Sequence, residues 1–188
     1  RFHWISLATE AFNKTRINVM KKFERLFNNR DEGKEYITVA KLLKAYYKFF
    51  LANTYNKEGW YFEEIINVKY LKQEMTITEL IEYCLNRDEE LKEAYFNLQS
   101  LYKIAKYSTF ETAKDDLTEW CDKILKSKTP NKEFKTVVFT YKYWIKPIVN
   151  SFIINPDTKE RIANGFIEGK NNFVKVIKRI GFEYKDFD

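Results

Sequence analysis

The chain has 188 residues, with 33 Lys and Arg against 27 Asp and Glu, a net charge of +6 and 45% hydrophobic residues. That length suits one domain, or a domain with a small appendage, and so large an apolar share excludes intrinsic disorder. Only five Gly and three Pro are present. An all-β sandwich or barrel with a turn about every 8–12 residues would need more of both, so a mostly helical chain is expected.

Residues 2–27 read as one long helix, in which Phe2, Ile5, Ala8, Phe12, Met20, Phe23 and Phe27 recur at three- and four-residue spacing. Asn28 to Gly33 break it. A second helix is expected over 37–52, where Val39, Leu42, Leu43, Tyr46, Phe49 and Phe50 form a stripe beside Lys41, Lys44 and Lys48. Residues 53–75 lack a period and are expected as a loop or a short helix, with Trp60-Tyr61-Phe62 in a polar setting. Thr76 and Glu79 have capping-box spacing and open a short helix to Leu85. Asp88 starts the next, over 88–107. Ser108 and Glu111 repeat the capping spacing before a helix running to Lys126. Thr129-Pro130-Asn131 is a turn, and a helix over 131–153 contains Pro147, which should kink or split it. Asn155-Pro156-Asp157 is a second break, and Asn164 opens a final helix to Ile180. The fold class is all-α, an irregular helical array.

No run of about 18 apolar residues exists, so no membrane span is expected. The start lacks a signal-peptide layout and an initiator Met, as in a fragment or a processed chain. Cys84 and Cys121 lie beside apolar neighbours without a zinc-spaced cluster and are expected as core thiols in a reducing, cytoplasmic setting. Charge is uneven. Residues 1–60 carry 12 basic and 6 acidic side chains, residues 61–120 carry 7 and 13, and residues 121–188 carry 14 and 8. Basic ends around an acidic middle suit a polyanion partner, although solvated helix faces would look the same. The aromatic and basic runs 41–50 and 141–146 have the composition that stacks on or steers nucleic acid, while helical spacing places most of those aromatics in a core.

The last helix is the most informative. With Glu168 at zero on a helical wheel, Asn172 lies at about 40°, Lys175 at about 340° and Arg179 at about 20°. One stripe thus carries a carboxylate, an amide and two cations, donors that suit phosphates. Phe166, Phe173, Ile177 and Ile180 fall between about 120° and 180°, the side that would anchor the helix. Gly169 costs about 1 kcal/mol against Ala in a helix interior and suggests close approach of a backbone or ligand. An ordinary solvated amphipathic helix would share much of this pattern.

Asn164-Gly165-Phe166-Ile167-Glu168-Gly169-Lys170-Asn171-Asn172, followed by Lys175, Lys178 and Arg179, resembles the C-terminal signature of DDE transposases of bacterial insertion sequences, ISL-three type: N-G-x-x-E-G-x-N-N-x-x-K-x-x-K-R. Phe182 to Phe187 resembles the aromatic and basic motif that continues it, with Glu183 where that family usually has Gly. Phe2-His3 and the helix after them resemble the family stretch D-x-F-H. Residues 88–95 and 113–120 resemble its helical insertion.

The resemblance implies a helical insertion region over 1–155, opening just after the second catalytic Asp, and a C-terminal helix of an RNase H-like core over 156–188. Glu168 would be the third catalytic, metal-binding carboxylate, with Mg²⁺ or Mn²⁺ as cofactor. Lys170, Asn171, Asn172, Lys175, Lys178 and Arg179 would lie near DNA phosphates, and His3 beside the metal-binding Asp. The first two acids would lie outside this chain, so the chain alone would bind no metal and be inactive. The intact protein would cleave and join DNA at transposon ends and target, with a homo-oligomer possible, in the bacterial cytoplasm at the nucleoid. The alternative is a non-enzymatic helical DNA- or protein-binding module derived from a transposase.

Overall fold

A computed structural model of the chain describes residues 2–27, 33–56, 62–129, 131–159, 161 and 176–177. The described residues form eight helices and one two-stranded sheet. Helix α1 (Phe2–Phe27) has the bounds its periodicity predicts. Trp4, Ala8, Ala11, Phe12, Val19 and Phe23 are buried along it, and the helix packs against three others: α2 (Lys34–Ala45), α5 (Glu89–Tyr107) and α7 (Lys132–Tyr143). The free face of α1 carries Glu10, Lys14, Lys21, Lys22, Glu24 and Arg25, all exposed, whereas Arg16 is only 6% exposed. Its guanidinium donates to the Leu43 carbonyl at 2.6 Å and to Asn13 Oδ1 at 2.7 Å.

The helix expected over 37–52 begins earlier and is two helices, α2 and α3 (Tyr47–Leu51), parted at Tyr46. The polar first turn, Lys34-Glu35, hides the start from an apolar pattern. At the break, Arg16 takes the Leu43 carbonyl, the acceptor that the residue-47 amide would use in a continuous helix. The junction of α1 and α2 is tight. Phe27 stacks on Tyr36 with centroids 4.2 Å apart, and a Cβ on Gly33 would come within 2.4 Å of the Phe27 Cβ.

Residues 53–75, expected as loop or helix, instead supply most of an antiparallel hairpin. Strand β1 (Ile65–Val68) pairs with β2 (Gln73–Thr76), Ile65 opposite Thr76 and Val68 opposite Gln73. Its tight connection puts Lys72 at φ 53 with no glycine to signal the turn. Trp60 and Tyr61, like the break over 28–32, lie outside the described residues.

Helix α4 (Ile77–Leu85) has the predicted capping box, with Thr76 Oγ1 accepting from the Glu79 amide at 3.1 Å and Glu79 Oε2 accepting from the Thr76 amide at 2.7 Å. Asp88 caps α5 through the Leu91 amide. Ser108 does not cap the following helix. It ends α5, and its hydroxyl donates to Asp116 Oδ2 at 2.6 Å, so α6 (Ala113–Leu125) starts later than predicted, after Thr112. Pro147 splits the expected 131–153 helix. The break falls at Trp144, making Pro147 the third residue of α8 (Ile145–Asn150), where a missing N–H removes no intrahelical bond. Asn155 turns the chain as predicted, accepting from the Asp157 amide. Of the final helix, Val176 and Ile177 are described: both are helical, and Ile177, expected on the anchoring side, is 51% exposed.

Candidate functional site

Glu168, Lys170, Asn171, Asn172, Lys175, Lys178 and Arg179 lie outside the described residues, and His3 is described only in its backbone, in the first turn of α1. The structure does describe the frame at both ends of the chain. Near the start, Trp4 is buried and its ring meets Tyr141 of α7 edge-on, with centroids 5.8 Å apart. The Tyr141 hydroxyl donates to the Trp4 carbonyl, tying α7 to the first turn of α1. Burial pushes that hydroxyl's pKa up.

Phe152 packs on the other side of the Trp4 ring, 5.9 Å between centroids, and is fully buried. Arg161 lies over the Phe152 ring at 4.6 Å. Its guanidinium donates to the Ala105 carbonyl at 2.6 Å and to the Ser108 carbonyl at 2.6 Å. These carbonyls belong to the end of α5, where the helix dipole favours a cation. Residue 154 also bridges residue 161 as an isolated antiparallel pair.

Trp4, Phe152 and Arg161 therefore form one continuous stack on the end of α5. Ile5 and Arg161 line the same open cleft of about 390 Å³, with Asn53, Asn56, Tyr102, Ala105 and Lys106. The beginning of the chain and the residue three positions before Asn164 are brought to one place across more than 150 positions of sequence. Sequence reasoning missed Arg161 in this role, because a side chain that caps carbonyls of a distant helix has no local signature.

Cys84 and Cys121 are buried and free, as expected of core thiols. Burial raises the Cys84 thiol to about 12 and the Cys121 thiol to about 11, which makes neither a nucleophile at neutral pH. Among the described residues no three His, Cys, Asp or Glu gather closely enough to hold a metal ion, so these residues alone build no metal site. Among the described residues, too, no helix is long and apolar enough to cross a membrane.

Compared with known proteins, residues 1–188 match the family model described as transposase, of the DDE, ISL-three type. No curated protein and no solved structure matches the chain.

Proposed function

Since the chain belongs to the ISL-three family of DDE transposases, we propose that it carries Glu168 as the third carboxylate of a DNA-cleaving and strand-transferring site. Residues 1–155 are then a helical insertion, and residues 156–188 carry the last helix of an RNase H-like core. The observation that supports this reading is the stack of Trp4, Phe152 and Arg161. An insertion must leave a core and return to it at nearly the same point, and the meeting of Trp4 with Phe152 and Arg161 is what that reading requires. A helical module of unrelated function has no reason to join its first turn to the approach of its last helix.

Phe2-His3 matches the family's D-x-F-H stretch, which puts the second acid immediately before Arg1. A divalent ion such as Mg²⁺ or Mn²⁺, when held by those acids and Glu168, supplies activation of the attacking oxygen and stabilisation of the leaving one. The chain's own part is to present a carboxylate and to hold DNA. Asn172, Lys175 and Arg179 share the Glu168 stripe and bind phosphates beside it, helped by Lys170, Asn171 and Lys178. His3 stands next to the second acid and orients it. Arg161, seven residues before Glu168, anchors the approach to it on the end of α5.

The test is Glu168→Gln in the full-length protein, which keeps size and hydrogen bonding but loses a charged ligand. Cleavage of a DNA substrate bearing the element's ends, with Mg²⁺ or Mn²⁺, should fall by at least about a thousandfold while DNA binding is retained. Cleavage within a few-fold of the unsubstituted protein would end the catalytic reading and favour a binding module.

A further inference from the structure

Helix α7 buries Phe134, Val137, Val138 and Tyr141. Its opposite stripe, Lys132, Thr136, Phe139 and Tyr143 at spacings of four, three and four, faces solvent. An amphipathic helix puts polar groups there. Here Phe139 is 65% exposed, Tyr143 81% and the adjoining Trp144 52%. The Tyr143 and Trp144 rings meet edge-on with centroids 5.3 Å apart. Phe139 and Tyr143 lie one turn apart on the exposed stripe and Trp144 adjoins Tyr143, so three exposed aromatic side chains are grouped here as a platform. Three such rings on one short stretch exceed the scattered apolar exposure of an ordinary surface.

The charge around the platform identifies what covers it. Residues 132–146 carry Lys132, Lys135, Lys142 and Lys146 against the single acid Glu133; Glu133 faces Lys14 at 3.7 Å, and Lys142 is paired with Asp122 of α6 at 3.0 Å. Lys132 and Lys146 are exposed at the two ends of the platform. Flat aromatic faces between cations suit a polyanion whose rings are free to stack, which describes unpaired nucleotides and not a closed duplex. We propose that Phe139, Tyr143 and Trp144 are a stacking site for unpaired bases of DNA, with Lys132 and Lys146 steering the backbone. This site uses none of the residues assigned to catalysis and needs no metal, so it stands or falls independently of the catalytic reading.

The experiment is equilibrium binding of the chain, by fluorescence anisotropy and without divalent ions, to an oligothymidylate of about twenty nucleotides and to a duplex of equal length. The variants are Phe139→Ala with Tyr143→Ala, Trp144→Ala, and Trp144→Phe. All three positions are exposed, and thermal melting checks that each variant keeps its fold. The two alanine variants should each bind the single strand roughly tenfold or more weakly while duplex affinity stays within about twofold, and Trp144→Phe should retain most of the single-strand affinity. Unchanged single-strand binding, or an equal loss for both DNAs, overturns the proposal. So does a chain that sediments as a dimer and becomes a monomer on these substitutions with single-strand binding unaltered, since the face is then an interface between copies.

Discussion

Asp88 does two jobs with one carboxylate. It caps α5 by accepting from the Leu91 amide at 2.9 Å, and it accepts from Lys22 Nζ of α1 at 2.8 Å while only 8% exposed. The capping role was legible in the sequence, because an acid before an apolar period is a helix start. The tie to Lys22 was not, since the two residues are 66 positions apart. Asp88→Ala should cost about 1–3 kcal/mol in urea unfolding, a lost cap plus a broken, half-exposed pair; Asp88→Asn, which keeps the cap, should cost less. Equal losses for the two would deny the cap its part, and no loss in Asp88→Asn would deny the pair its part. Cys84 offers a second residue-scale check. Its thiol is raised from 9.0 to about 12 by burial, Arg87 opposing weakly. The folded state then keeps a proton that the unfolded state releases above pH about 9. Stability from this group is full below that pH and falls as pH rises towards 12, by up to about 1.4 kcal/mol per unit. Cys84→Ala should therefore show a shallower alkaline decline in stability between pH about 9 and 11. An identical slope in the variant would refute the assignment.

Among elements, those with local start signals were readable and those set by distant contacts were not. The bounds of α1, the Thr76 box and the split near Pro147 follow from periodicity, capping and a missing N–H. Tyr46 interrupts an otherwise unbroken helical pattern where Arg16, 27 positions earlier, engages the Leu43 carbonyl. The hairpin escaped notice because its strands are four residues each and its turn carries Lys72 where a glycine would be the cue. Ser108 shows the limit of spacing alone: its hydroxyl donates to Asp116 and is not spent on a following amide. The segment ending at Arg161 is held on the end of α5 by one side chain. Arg161→Ala removes charge-assisted bonds to two or more carbonyls at the end of α5. Amide exchange over residues 152–159 should accelerate roughly thirtyfold or more, as expected for about 2 kcal/mol or more of lost protection, while the buried centre of α5 keeps its rate. Unchanged exchange over that segment would show that Arg161 is not its latch.

At the scale of the molecule, the signature that names the family and the structure that frames it are complementary. The roles proposed for Glu168 as the catalytic acid and for Asn172, Lys175 and Arg179 beside DNA come from the family signature, a pattern local in the sequence. The meeting of Trp4, Phe152 and Arg161 is tertiary, produced by aromatic packing and carbonyl capping across the whole chain, and no local pattern encodes it. Of the basic charges of the first third, Arg16 is spent inside the fold. The central claim is that residues 1–155 are an excursion that leaves a catalytic core after its second acid and returns to deliver the third. Carboxylates that share two ions about 4 Å apart cannot be distant. In a crystal structure of the intact protein, the Cα atoms of Arg1 and Glu168 should lie within roughly 15 Å of each other, and a separation above about 25 Å would contradict the account.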